Sequence, residues 1–345
     1  MRFFHLINVR WYNATAWYAL NLCRLLQAAG FEVIAGVLPN TQTAKKAKEM
    51  NIKTYEDYFN AANPIAAALR LNRFLRDFAP DILTAHRGEL FWFLALKRFF
   101  GARWKLLRVR GDQRMPKANF VNRFFYNRCA DRIIVSGEYI KLFFTDRLKT
   151  PLNKIDAIYG GVDTNKFRFD RAGRDRVRSE FGFSEGDIVA GLVGRYSEVK
   201  GHKYLIDALA LLRQSDERYK LLLVTDSADL DISDLQKYIN DQGLTNAAFI
   251  TGFRSDVAAC ISAFDVGVAA SIGSEAICRV AFEIMSIGVP LIATTVGALS
   301  EIAPKDNLVA PNDAKALAQK ITDHDKHIRV FSDEAFLSAY LAAAK

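Results

Sequence analysis

Residues 266–302 read VGVAASIGSEAICRVAFEIMSIGVPLIATTVGALSEI. An apolar run, Val266 to Ser271, leads into a loop with Gly273, and after Gly288 a second apolar run starts at Pro290. Between them a helix is expected from near Glu275. Strand, helix, strand is the unit of a parallel sheet, because parallel neighbours need a long crossover. Glu275 and Glu283 stand eight residues apart on the expected helix. At ~1.5 Å and ~100° per residue that is roughly 12 Å along nearly one face. Two carboxylates so placed either grip two ends of one extended ligand or are two solvated charges. The first would also lie at a helix N-terminus, where backbone N–H groups hold anions.

The same alternation extends in both directions. Downstream, NLVAP follows; upstream lie DIVAGLVG, KLLLVTD and AAFITGF, with helical patterns between. Nearer the N-terminus the runs RFFHLIN, FEVIAGVL, DILTAH, KLLRVRG and DRIIVSG form a comparable series, with helices at about 16–29 and 65–78. Between the series, YGGVDTNKFRFDRAGRDR (159–176) is rich in glycine and charge and reads as a connection. The expected architecture is α/β, two Rossmann-like βαβ domains facing across a cleft, with ligands at the carboxyl ends of the strands. The boundaries are 1–168 for the first domain and 169–325 for the second. A helical tail over 326–345 is able to pack back on the first domain.

At 345 residues there is ample material for two cores. No apolar run approaches the ~20 residues that span a bilayer. Arg10 falls inside what would be the core of a secretory signal, so none is expected. Cys23, Cys129, Cys260 and Cys278 are scattered and read as reduced core thiols, with no disulfide frame or zinc site. The net charge of +9 is uneven: residues 1–168 hold 28 Lys and Arg against 13 Asp and Glu. That half suits an anionic membrane surface or an anionic acceptor, or is simply a basic surface. No nucleic-acid-binding module accompanies the high pI, so nucleic acid is not expected as a partner.

In the second half, the strand DIVAGLVG ends at Gly194 and leads to Arg195, then Lys200-Gly201 and a helix over His202–Arg213. Two cations in a loop that opens a helix can neutralise a diphosphate, or can be an exposed basic loop. There is no GxGxxG dinucleotide fingerprint. Phe253 and Arg254 follow another strand end, where they contact a nucleotide base or are a core ring and a surface charge. Asp229 and Asp231 form a DxD without a third ligand nearby, so no metal site is assigned.

Three segments in order, VGRYSEVKGHKYLIDALALL, GFRSDVAACISAFDVGVAAS and GSEAICRVAFEIMSIGVPLIATTVGALSEI, resemble retaining glycosyltransferases of the GT-B fold, family 4. The resemblance covers roughly 187–322. It implies that Glu275, with Ala276 and Ile277, contacts the donor sugar, and that Glu283 contacts the nucleotide ribose. It implies that Gly194, Arg195 and Lys200 hold the donor diphosphate, and that Phe253 and Arg254 lie by the base. The donor is then a UDP-, GDP- or ADP-linked sugar, with no obligatory metal or other cofactor. Two positions depart from the family: Ile277-Cys278 stands where Phe-Gly is common, and Thr225 where a glycine usually follows the strand.

The resemblance is weaker in the first half. The family's glycine-rich loop after the first strand is replaced by NVRWYNATAW, where Asn13, Ala14 and Thr15 are small or able to cap the next helix. Trp11, Tyr12 and Trp17 either stack on a sugar or pack in the core. His86 ends the strand of DILTAH, as a site residue or a structural histidine. Arg110, Asp112 and Arg114 follow the strand of LLRVRGDQR. Asp112 orients or deprotonates an acceptor hydroxyl, with the arginines on anionic acceptor groups, or the three make a local ion pair. The reaction implied is glycosyl transfer with retention to a glycan or glycolipid, as in lipopolysaccharide synthesis, by a cytoplasmic protein peripheral to a membrane. The alternatives are a nucleotide-sugar epimerase of the same fold and a catalytically silent sugar-nucleotide-binding protein.

Overall fold

A computed structural model describes the chain except for residues 60–62, 112–114, 228–229, 274, 325 and 327. The chain forms two units. Unit 1 is Met1–Gly161 together with Asp333–Lys345, and unit 2 is Val162–Ser332. The division therefore falls after Gly161, where the sequence reading put it after residue 168.

Unit 1 is built on a seven-stranded sheet of β1 (Arg2–Ile7), β2 (Glu32–Val37), β3 (Lys53–Glu56), β4 (Ile82–Ala85), β5 (Lys105–Arg110), β6 (Arg132–Val135) and β7 (Ile155–Ala157). The order is β3-β2-β1-β4-β5-β6-β7, and every pairing is parallel. Unit 2 carries β8 (Ile188–Val193), β9 (Tyr219–Val224), β10 (Ala248–Ile250), β11 (Val266–Ala269), β12 (Leu291–Thr294) and β13 (Leu308–Val309). Its order is β10-β9-β8-β11-β12-β13, again parallel. The apolar runs are continuous because helices cover both faces of each sheet. Leu221, Leu223, Val266, Val268 and Ile292 lie in the unit 2 core, and Phe4, Leu6, Leu83 and Leu106 in that of unit 1.

In each sheet the strand order reverses once, between β1 and β4 in unit 1 and between β8 and β11 in unit 2. Loops leaving neighbouring strands at such a point diverge and leave a crevice at the carboxyl ends, the usual ligand position of open α/β sheets.

The connection read over 159–176 is partly helical, because a helix runs over Arg171–Glu180. Its charge hid it. The Asp170 side chain accepts from Gly173 N at the N-cap, while Arg174 and Arg178 reach Asp265 at 2.7 and 3.2 Å. The last helix, Asp333–Ala344, belongs to unit 1. Asp333 accepts from Asn21 Nδ2 at 2.7 Å and pairs with Arg24 at 2.5 Å, and the Tyr340 hydroxyl lies 2.6 Å from that of Thr84.

Candidate functional site

The second strand series was expected to send its chemistry to the β8 and β11 ends, and a compact polar cluster is found there in unit 2. β8 runs out through Gly194 and the exposed Arg195. Backbone bonds from Gly194 N to Val224 O at 3.1 Å and from Tyr196 N to Asp226 O at 2.9 Å tie this loop to the end of β9. A single 3-10 turn, Glu198–Lys200, then meets Gly201, which has φ +70° and stands immediately before the helix His202–Arg213. A Cβ on Gly201 would lie 2.0 Å from the carbonyl oxygen of Ala270. Only glycine lets the loop approach β11 this closely. The approach is completed by Ile272 N donating to Val199 O at 2.9 Å.

Lys200 is thereby delivered to Glu275, with Nζ to Oε1 at 2.5 Å. The Ser271 hydroxyl donates to the same oxygen at 2.5 Å. Ser271 is held in turn by Thr294 at the end of β12, whose hydroxyl donates to the Ser271 carbonyl at 2.5 Å. Glu275 is buried, and its own carbonyl accepts from Ala298 N at 2.8 Å. Three strand ends thus fix one carboxylate and one ammonium at the switch point. Ile277 and Cys278 are buried beside it, and burial, then the Glu275 charge, pushes the Cys278 thiol well up. Ala276 is half-buried in the same loop.

Glu275 is not in a helix. The helix spans Arg279–Ile287, with Cys278 at its N-cap, so the expectation of two carboxylates on one helical face is corrected. Glu275 sits in the preceding loop because its carboxylate is used by Lys200 and Ser271 rather than by a helix cap. Glu283 lies within the helix and is buried, with Oε1 accepting from Arg279 Nε at 3.0 Å. Its other oxygen, Oε2, is buried with no hydrogen-bond partner among the described residues. Burial raises its carboxyl above the ordinary range, opposed by Arg279 and Lys166.

Thr225, at the position where the family usually has glycine, points its buried hydroxyl at His202 Nε2, 3.2 Å away. Burial, helped by the Lys200 charge, lowers the His202 pKa to about 4. Sequence reasoning did not single out Ser271, Thr294 or His202. The available signal was small hydroxyl residues at the ends of two consecutive strands, and a histidine opening the helix after Lys-Gly. Phe253 is 80% exposed and so is no core ring. Arg254 is engaged by Asp256 at 2.8 Å and Glu180 at 2.7 Å, which hold its guanidinium pKa still higher than usual. Asp231 caps the helix Ile232–Asp241 by accepting from Ser233 N, while Asp229 lies outside the described residues.

In unit 1, Asn13 caps the helix Ala14–Ala28, its Oδ1 accepting from Ala16 N at 3.1 Å. Ala14 is exposed and Thr15 half-buried on its first turn. Trp11 is 67% exposed, whereas Trp17 packs over Gly160. His86, just past β4, is buried with Nε2 3.1 Å from Nδ1 of His5 on β1. Burial lowers both, His5 to about 3 and His86 well below its ordinary value, the latter also through His5 and Arg108. Both rings are therefore neutral at neutral pH. Arg110 is buried at the end of β5, and Asp112 and Arg114 lie outside the described residues. Asn8, just past β1, is buried with neither amide atom hydrogen-bonded among the described residues.

Two all-parallel Rossmann-like units with polar switch points are the architecture of the GT-B class. The family described as Glycosyl transferases group 1 matches residues 187–324, and that described as Glycosyltransferase Family 4 matches residues 15–166. The chain belongs to this group 1, family 4 of the glycosyltransferases. Among curated proteins it is similar to 2-deoxystreptamine glucosyltransferase of Streptomyces kanamyceticus, 29% identical over 236 residues, covering 67% of this chain and 58% of that protein. The chain spans about half the length of the curated relatives it matches. Among solved structures it is similar to a glycosyltransferase from Rickettsia africae ESF-5, with TM-score 0.86 and 20% identity, covering 100% of this chain and 97% of that one. It is also similar to HepE of Anabaena in complex with UDP, with TM-score 0.81 and 20% identity, covering 100% and 95%. Among the described residues, no helix is long and apolar enough to cross a membrane.

Proposed function

We propose that the chain moves a sugar from a nucleotide-diphosphate sugar to a glycan or glycolipid acceptor, with retention at the anomeric carbon. The observation that carries this reading is the convergence of Lys200 and Ser271 on one oxygen of buried Glu275 at the β8/β11 switch point. Gly194 leaves room for a phosphate beside the Lys200 stem, whose carbons stand about 4 Å from where a Cβ would be. Arg195 and Lys200 would then flank a diphosphate. Negative charge grows on that group as its bond to the anomeric carbon breaks, and cations already in place stabilise the change more than they stabilise the ground state. They take the charge-balancing role without an obligatory metal, as is general in the family.

Glu275 would accept hydrogen bonds from donor-sugar hydroxyls, with Ala276 and Ile277 lining the loop. Glu283 would accept from ribose hydroxyls through Oε2, the atom that has no protein partner among the described residues. UDP is the favoured nucleotide, because the similar HepE structure holds it. Phe253, exposed at a strand end, would cover the base, and Arg254 would fix that loop through Asp256 and Glu180. On the acceptor side we place Asn13, Ala14, Thr15, His86, Arg110 and Arg114, with Asp112 orienting or deprotonating the attacking hydroxyl. The basic balance of residues 1–168 supports an anionic acceptor and work on cell-surface polysaccharide or lipopolysaccharide at the inner face of a membrane.

The test is a thermal-shift screen with UDP, GDP, ADP and their sugars, because a ligand bound only by the folded state raises apparent stability. UDP is expected to shift the melt. Lys200→Ala and Glu275→Ala are expected to stay folded and to lose release of nucleotide from its sugar. Full activity in both variants would overturn the site, and no shift with any nucleotide would overturn the donor class. A shift with free UDP but no transfer or hydrolysis by the unaltered chain would favour a silent binding protein. Inversion of a sugar hydroxyl without transfer would favour an epimerase.

A further inference from the structure

We infer that unit 1 carries a docking surface for an anionic phospholipid bilayer, formed by the turn after Phe99 and the helix Phe120–Phe124. The inference deepens the membrane part of the proposed function and stands apart from the donor site. Phe99 and Phe100, at the end of the helix Phe91–Phe99, are 50% and 79% exposed. Phe120 and Val121, opening the other helix, are 81% and 54% exposed.

These residues form one patch. The Phe99 ring lies 5.3 Å from that of Phe100 and 5.1 Å from that of Phe124. Phe120 and Phe124 are four residues apart on one helix and so share a face. An apolar groove of about 530 Å³ opens at the same helix end, lined by Phe93, Leu96, Lys97, Phe100, Gly101 and Ala102. Single exposed phenylalanines are ordinary, whereas a contiguous aromatic patch beside an open groove marks a surface that something covers.

Charge identifies what covers it. Arg103 and Lys117 are exposed, each three residues from an exposed phenylalanine in the chain. Arg123 is exposed on the helix itself and donates through Nη2 to the carbonyl of Arg147 at 3.2 Å. Asn127 Nδ2 donates to the carbonyl of Leu148 at 3.0 Å, so the turn bearing exposed Arg147 and Lys149 abuts the aromatic helix. Nearby acids are fewer and partly engaged: Asp131 is held by Arg98 at 2.7 Å, and Glu138 by Lys141 at 3.4 Å. Asp146 is exposed. Aromatic rings settle at the headgroup level of a bilayer, and cations beside them gain from anionic headgroups within a Debye length. A purely electrostatic partner would leave the phenylalanines in water, and an apolar partner would leave the cations unanswered.

The experiment is co-sedimentation of the full chain with phosphatidylcholine vesicles, with and without phosphatidylglycerol, across a salt series. Binding is expected only with phosphatidylglycerol, weakening as salt rises. Phe100→Ser with Phe120→Ser is expected to lower partitioning on the order of a hundredfold. Lys117→Glu with Lys149→Glu is expected to lower it on the order of tenfold or more. These residues are exposed, so both double variants should keep the melting temperature and the UDP shift of the unaltered chain. A missing UDP shift beside intact vesicle binding would remove the donor reading and leave this surface standing. The inference is overturned if the unaltered chain ignores anionic vesicles, or if the phenylalanine variant binds them equally well. It is also overturned if that variant instead abolishes a vesicle-free self-association, which would assign the patch to a second copy of the chain.

Discussion

Gly201→Ala isolates the close approach that brings Lys200 to Glu275. Two costs add at this position. An L-residue held at φ +70° costs roughly 1–2 kcal/mol from left-handed backbone strain. The new methyl would lie 2.0 Å from the Ala270 carbonyl oxygen, a backbone atom that can move only with β11. Overpacking of this kind adds about 1–3 kcal/mol. The sum is about 2–5 kcal/mol. For a unit the size of Val162–Ser332, at roughly 2–4 °C per kcal/mol, the expected fall is on the order of 10 °C. Gly243→Ala is the matched control. It has φ +71° in the same unit, but nothing within 4 Å of its Cβ position, so it bears the strain alone. Scanning calorimetry should therefore rank the control above Gly201→Ala by about 1–3 kcal/mol. Titration with UDP should weaken only in Gly201→Ala, because only that change displaces the Lys200 loop. Equal costs and equal UDP affinities in the two variants would refute the claim that this contact positions the cation.

Two pH effects follow from buried groups in the same unit. The native Glu283 carboxyl is raised above the unfolded value of 4.5, so ionised Glu283 costs stability at neutral pH and the cost is relieved as pH falls through its native pKa. Glu283→Gln should accordingly match or exceed the unaltered chain in denaturant melts at pH 7, lose that advantage as pH falls, and bind UDP more weakly throughout. Native His202 is lowered to about 4 from 6.5, so the unfolded chain takes up its proton first and stability falls as pH drops from 6.5 towards 4. The difference amounts to about 3 kcal/mol. His202→Gln should flatten that part of the unit 2 profile, and an unchanged slope would remove His202 as its cause.

Much of this architecture is legible because β8 to β13 are apolar runs ended by glycine, proline, charge or a small hydroxyl residue, and the helix His202–Arg213 has a clear apolar period. β3, reading KTYE, and the three-residue β7 escape notice because edge strands are short and partly polar. The helix Arg171–Glu180 is hidden by its charge, since three-dimensional partners such as Asp265 hold it rather than an apolar stripe. At the site, the residue types were readable but one backbone was not. Ser-Glu-Ala before an apolar period looks like a helix start, yet Glu275 gives its carboxylate to groups remote in the chain, Lys200 and Ser271. The pairing of Thr225 with His202 is likewise invisible from local sequence, because it joins the end of one strand to the start of a helix that precedes it.

The return of Asp333–Ala344 to unit 1 bears on the order in which the protein can assemble as it is made. All of unit 2 leaves the ribosome as one uninterrupted segment and can close its core at once, while unit 1 must wait. Until that last helix emerges, Asn21 and Arg24 lack Asp333, and Thr84 lacks the Tyr340 hydroxyl. Domains generally fold from the N-terminus during synthesis, but here all of unit 2 is made before the last segment of unit 1. Loss of the helix Asp333–Ala344 would strike unit 1 and leave the segment of unit 2, Val162–Ser332, whole.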